Sequence, residues 1–177
     1  MKIDDIKNND IIKICDLSYN KEDDKIICDY AVDNKIKKNT EPRIYFIVIN
    51  GVIKKIGGSE DKGGIVSTIN AYINSNKGNP SISRFGIRYH LINELDCNNK
   101  VEFYCIFIKV KSISLPIKYF NGICEDTKVD ISFKSIEKSY VIKFTDIFGE
   151  MPKWNYQERG DKWPDYIKEE YNKRKWK

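Results

Sequence analysis

A handful of side chains in this sequence have the chemistry to work on a phosphodiester. Tyr45 and Lys55 stand on either side of the dipeptide Asn50-Gly51, in the runs "RIYFIVI" and "VIKKIGG". Asn-Gly between two apolar runs is a strong hairpin signal, because both residues accept positive φ. A two-residue loop there pairs 46 with 55, or 45 with 56, so the side chains of Tyr45 and Lys55 approach each other if the register or a bulge permits. A lysine crowded by other cations gives up its proton more readily and can act as a general base, and a tyrosine with such a neighbour can do the same. The competing interpretation is a plain hairpin whose edge is solvated, with Lys54 and Lys55 at a strand end before Gly57-Gly58.

Four more residues extend the set. Arg84 and Arg88 are spaced to share one helix face, where two guanidiniums suit a phosphate or a developing phosphorane, or simply a solvated surface. Glu137, in the first turn of a later helix, is either a helix-dipole carboxylate or a single metal ligand, with Glu150 and Glu158 as other candidates for the metal. In "PKWNYQE", Trp154, Asn155 and Glu158 gather an aromatic, an amide and an acid in one loop. Lys54, Lys62, Lys173, Arg174 and Lys175 suit phosphate contacts that position a nucleic acid rather than specify its sequence.

The elements that must position these residues follow from hydrophobic pattern. "DIIKICDL" and "KIICDYAV" are candidate strands, followed by the charged connector "DNKIKKNTEP" and the Asn-Gly hairpin. The stretch "GGSEDKGG" is a glycine-rich loop. Ile65, Ile69, Tyr72 and Ile73 then fall on one helical face, and so do Ile87, Leu91, Ile92 and Leu95 of a second helix with Ser83 as a possible cap. "KVEFYCIFIKV" is apolar on both faces and belongs in the middle of a sheet. Residues 111–132, with Pro116, form irregular or edge structure. A third helix buries Ile136, Tyr140, Phe144 and Ile147 and stops at Gly149. The prediction is one α+β domain over residues 1–177: a small central antiparallel sheet containing the hairpin, flanked by about three helices. Within it, 1–40 is an N-terminal strand region, 43–158 the core and 159–177 a basic tail.

Composition and motifs narrow the chemistry. The chain has 177 residues and a net charge of +5, which weakly favours an anionic partner. The acidic N-terminus "MKIDDIKNNDIIKICDL" lacks the apolar run of an export signal, and no window approaches the roughly 18 apolar residues of a membrane span. Five cysteines, no C-x-x-C pair and one histidine disfavour a zinc site. Cys15, Cys28 and Cys105 lie in apolar runs as core thiols of a cytoplasmic protein. There is no Walker loop and no G-x-G-x-x-G, and the single His90, within the second helix, makes a hydrolase triad a poor guess.

The half-motifs Arg43-Ile44-Tyr45 and Lys55-Ile56-Gly57 resemble those of the GIY-YIG nuclease superfamily, over roughly residues 43–158. The resemblance implies an α+β nuclease that cuts phosphodiesters with one divalent metal, Mg²⁺ or Mn²⁺, held by Glu137. Tyr45 matches the tyrosine of the first half-motif and Gly57 the closing glycine. Lys55 replaces the usual tyrosine of the second half-motif, as in some restriction-enzyme members. The family's arginine follows on the next helix, but "IVSTINAYINS" has none, so Arg84 or Arg88 must supply it. Asn155 resembles part of a Trp-Asn element near the C-terminus of such restriction enzymes.

The expected activity is a Mg²⁺-dependent, sequence-specific endonuclease of double-stranded DNA, acting as a homodimer. The base is Lys55, or Tyr45 assisted by it. A second possibility is a non-enzymatic nucleic-acid-binding or protein-interaction module. A third, a nuclease built on Glu102, is disfavoured because no lysine follows two residues later.

Overall fold

In the computed structural model of the chain, residues 2–6, 10–109, 112–120, 122–157, 160 and 162–174 are described. The long apolar strand of the sequence sits where its two-sided burial requires. Five strands form an antiparallel sheet in the order β2-β1-β5-β3-β4. They are β1 (Ile12–Asn20), β2 (Lys25–Tyr30), β3 (Arg43–Ile49), β4 (Val52–Ser59) and β5 (Val101–Phe107). β5 is central and β3 is buried at every position.

Helices cover both faces, which is why β3 and β5 are apolar on both sides. α2 (Gly64–Ile73), α3 (Ile82–Asp96) and α5 (Asp165–Arg174) bring Ile65, Ile69, Ile87, Leu91 and Ile167 against Tyr45, Ile47, Phe103 and Cys105. On the other face, α4 (Phe133–Phe148) packs Val141 and Phe144 on Ile44, Phe46, Val48 and Ile56. The α+β architecture, the central antiparallel sheet and the hairpin are as predicted.

Local departures have physical causes. The hairpin turns at Asn50 (φ 48°) and Gly51 (φ 78°), but Val48 pairs with Ile53 and Ile47 with Lys55. Lys54 is therefore the extra residue of a bulge, and Tyr45 faces Gly57, not Ile56. β4 runs on through Ser59, so Gly57 and Gly58 belong to a strand and not to the expected loop. A short α1 (Asn34–Lys37) interrupts the charged connector, capped by Asp33, whose carboxylate accepts the Ile36 N–H. Ser81, not Ser83, caps α3 by accepting the Arg84 N–H. In α4 the buried stripe runs through Ile136, Tyr140, Val141 and Phe144, which leaves Ile147 on the outer side, 55% exposed. Gly149 (φ 76°) ends that helix as predicted.

Two regions differ more. Residues 112–130 form a separate two-stranded ribbon of β6 (Ser112–Lys118) and β7 (Cys124–Asp130), where irregular or edge structure was expected. The supposed tail contains α5, which starts after Pro164 and buries Ile167 completely, so this segment is part of the core. Cys15 and Cys105 are buried free thiols, and Cys28 is half-buried. Among the described residues no helix is long and apolar enough to cross a membrane.

Candidate active site

Tyr45 and Lys55 are brought to one end of the sheet, beside the junction of α2 and α3. The Tyr45 ring lies across Gly57, its cross-strand partner, so closely that a Cβ at Gly57 would collide with the ring and its hydroxyl. A glycine is required there because an aromatic side chain crosses the strand. The Tyr45 hydroxyl is 2.5 Å from that of Tyr72, on α2. Two adjoining cavities share Tyr72 and Arg84 as a common wall. One, of about 240 Å³, is also lined by Lys55, Trp154, Tyr156 and Trp163. The other, of about 170 Å³, is also lined by Tyr45, Gly58, Asp61 and Thr68.

The common wall is built from the corner between α2 and α3. Buried Ser75 places its hydroxyl 2.8 Å from the Tyr72 carbonyl and 3.0 Å from the Arg84 carbonyl, tying the two backbones together. Arg43 is fully buried and fixes the other rim. Its guanidinium donates to the carbonyls of Asn39 and Glu41 (both 3.1 Å) and of Asp61 (2.6 Å). The Asp61 carboxyl is held below its usual range, first by the Gly63 N–H and then by Ser67, with the charges of Arg43 and Arg84 adding to the effect.

Glu137 comes from α4, on the far side of β4. A Cβ at Gly58 would stand 2.8 Å from Glu137 Oε2, so bare backbone at Gly58 makes room for the carboxylate. Gly58 also lines the Tyr45 cavity, so one residue of β4 borders both that cavity and the Glu137 carboxylate. No cluster of three or more His, Cys, Asp or Glu occurs among the described residues. A single carboxylate of this kind suits Mg²⁺, which takes one or two carboxylates and completes its shell with waters and phosphate oxygens. Glu150 is exposed just beyond α4, and Glu158 lies outside the described residues.

The remaining candidates are placed elsewhere. Asn155 is completely buried and grips the backbone of β4: its Oδ1 accepts the Ile56 N–H (3.0 Å) and its Nδ2 donates to the Ile56 carbonyl (2.8 Å). Arg88 does not join Arg84. It is buried, donates from Nε to the Ile73 carbonyl (3.1 Å), and forms an ion pair with Asp24 (2.8 Å). From one helix face the two side chains reach different neighbours, Arg84 the two cavities and Arg88 Ile73 and Asp24. Arg88, Lys173 and Arg174 line a separate cleft of about 1170 Å³ between the β1–β2 turn and α5. Lys173 pairs there with Glu170 (2.6 Å), and Arg174 donates to the carbonyls of Asn76 (3.0 Å) and Gly78 (2.9 Å). Lys62 is exposed in the turn before α2, Lys54 is half-buried at the bulge, and Lys175 lies outside the described residues. Glu102 is buried between Lys13 (2.9 Å) and Lys100 (2.8 Å) on a different part of the sheet.

No protein-family model matches the chain, and no curated protein matches it in sequence. A glutamate-to-alanine mutant of bacteriophage T4 EndoII does match in structure, with a TM-score of 0.53 and 21% identity over 88% of this chain and 99% of that one. The chain shares the EndoII fold. Restriction endonuclease HPY188I, in complex with product DNA, is also similar (TM-score 0.49, 23% identity, 86% of this chain and 84% of that one). Within this EndoII-like fold, the residue that sequence patterning undervalued is Tyr72. It was assigned to the apolar face of α2, yet its hydroxyl meets that of Tyr45. The available signal was a polar atom among isoleucines, since a buried tyrosine hydroxyl needs a partner.

Proposed function

We propose that this chain is a metal-dependent endonuclease of double-stranded DNA, of the GIY-YIG kind and with the sequence specificity of a restriction enzyme. The observation that carries the proposal is the convergence of Tyr45, Tyr72, Lys55 and Arg84 on two adjoining cavities, with the Glu137 carboxylate beside Gly58, which lines one of them. The EndoII fold supports it, since EndoII is an endonuclease. A net charge of +5 also suits a polyanionic substrate.

In this mechanism the scissile phosphate sits at the common wall. Arg84 binds its non-bridging oxygens, and Lys55 adds positive charge from the neighbouring cavity where the phosphorane develops. Tyr45 takes the proton of the attacking water as it gives its own to Tyr72 through their hydroxyl contact, and Tyr72 in turn releases its proton to solvent in the cavities it lines, so that both tyrosines end neutral. Glu137 would hold Mg²⁺ or Mn²⁺, and the bound ion supplies charge stabilisation at the leaving oxygen. Asn155 touches none of these atoms. It fixes Ile56, between Lys55 and Gly57, and so positions both. Each copy cuts one strand, so cleavage of a duplex takes two copies.

The test is digestion of unmethylated phage DNA with Mg²⁺ or with EDTA, alongside Lys55→Ala and Glu137→Ala. Discrete Mg²⁺-dependent fragments that disappear in both variants, with DNA binding retained by Glu137→Ala, are the expected result. Intact DNA under every condition, with a gel shift still present, would make the protein a binding module and overturn the proposal.

A further inference from the structure

The β6–β7 ribbon is amphipathic, and among the described residues it contributes nothing to either buried cluster of the main sheet. Its register puts Ile113 opposite Val129, Leu115 opposite Thr127 and Ile117 opposite Glu125, with the Tyr119–Ile123 pair just beyond the strands. One face is therefore mostly apolar, interrupted by Thr127 and Glu125, while Ser112, Ser114, Lys118, Asp126, Lys128 and Asp130 share the other. Five of the nine exposed large apolar side chains among the described residues lie here: Ile113, Leu115, Tyr119, Phe120 and Ile123. Isolated two-stranded ribbons are marginal in water, and three or more strands with an apolar face are needed for independent stability. Something else must extend this one.

The two edges of the ribbon are not equivalent. The Tyr119 N–H donates to the Ile123 carbonyl (2.9 Å), which makes that pair a hydrogen-bonded one. Pairs alternate in an antiparallel ladder, so Pro116 and Asp126 form a non-hydrogen-bonded pair. The donor that Pro116 lacks would have pointed outward, and the β6 edge is thereby blocked. The β7 edge carries no proline and turns the backbone groups of Cys124, Asp126, Lys128 and Asp130 outward. DNA is a poor occupant, because the ribbon carries two lysines (Lys118, Lys128) against three acids (Glu125, Asp126, Asp130).

A second copy of the chain fits. If β7 pairs antiparallel with β7 of another copy about a two-fold axis at Thr127, the outward-turned residues are the hydrogen-bonded ones. Asp126 then stands opposite Lys128 of the second copy, and Lys128 opposite its Asp126. We infer that the β7 edge is the self-association surface of this protein, joining two ribbons into one four-stranded antiparallel sheet through paired Asp126–Lys128 contacts. The inference names the surface behind the two-copy requirement of the proposed nuclease, but it rests on the ribbon alone.

Sedimentation of the free protein, without DNA or metal, tests it. The unsubstituted chain should be dimeric. Asp126→Lys alone sets lysines opposite lysines, and Lys128→Asp alone sets acids opposite acids. Either should weaken the dimer roughly tenfold to a hundredfold, since two symmetric cross-strand pairs turn from attraction to repulsion. An equimolar mixture of the two variants restores opposite charges at every position and should recover the dimer, which also controls for folding. A monomeric unsubstituted protein, a dimer indifferent to either variant, or a mixture that fails to recover would each overturn the assignment. Loss of cleavage with the dimer intact would count against the nuclease proposal only.

Discussion

Replacing Asn155 by alanine should unfold this protein more than it should disarm it. β4 is the outermost strand of the main sheet, so the outward N–H and carbonyl of Ile56 have no neighbouring strand to bond. Asn155 supplies both partners from one side chain, at 3.0 and 2.8 Å, and the Trp154 N–H adds a bond to the Lys54 carbonyl (2.8 Å). The segment therefore acts as a partial sixth strand over an exposed edge. Alanine would leave two buried backbone groups unpaired at about 1–3 kcal/mol each, or roughly 2–6 kcal/mol together. In a domain of this size that lowers Tm by roughly 5–15 °C. Urea unfolding followed by circular dichroism measures the loss directly, with cleavage assayed well below the new Tm. A catalytic asparagine would behave in the opposite way, losing cleavage with an unchanged urea midpoint. A destabilisation below about 1 kcal/mol would refute the clasp.

Three other perturbations separate site from scaffold. Gly57→Ala should displace the Tyr45 ring and cut cleavage by about a hundredfold or more, with DNA binding kept in a gel shift. Arg88→Met should cost about 2–3 kcal/mol in a urea titration, less than a fully buried pair because Asp24 is half exposed. Burial raises the Asp24 pKa, but hydrogen bonds from Arg88, Tyr19 and Asn76 outweigh it and hold the carboxyl below its usual range. Its contribution is thus complete above the unfolded carboxylate pKa, fades as pH falls through the folded one, and should shrink in Arg88→Met. His90, stacked on Trp154 at 5.0 Å, is pushed down to about 4 by burial. The unfolded chain binds that proton more readily, so stability should be full above about pH 6.5 and fall by roughly 3 kcal/mol on the way to pH 4. A His90→Phe variant whose stability still declined over that interval would disprove this assignment.

Legibility followed the reach of each signal. The hairpin, the central β5 and the buried faces of α2 and α3 were all visible because a turn dipeptide or a hydrophobic period is local. The Lys54 bulge was not, because nothing in "VIKKIGG" states which residue will be left unpaired until the strand packs. α5 escaped notice because its mean hydropathy is low and one buried residue, Ile167, anchors most of it. The cap on α3 was misplaced by two residues because Ser81 and Ser83 have equal chemistry and differ only in backbone conformation, extended at Ser81.

The two arginines of α3 show why a site is harder to read than a fold. Spacing alone assigns them one task, yet the structure divides them. Arg84 lines the cavities, whereas Arg88 holds the carbonyl of Ile73, next to Tyr72, and reaches Asp24 in the β1–β2 turn. The position of Tyr72 thus depends on Arg88, and that of Arg84 on Ser75. An arginine supplied from α3 serves a cleft bordered by α2 only if the corner between those helices is rigid. The buried Arg88 and Ser75 tie that corner together through the carbonyls of Ile73, Tyr72 and Arg84.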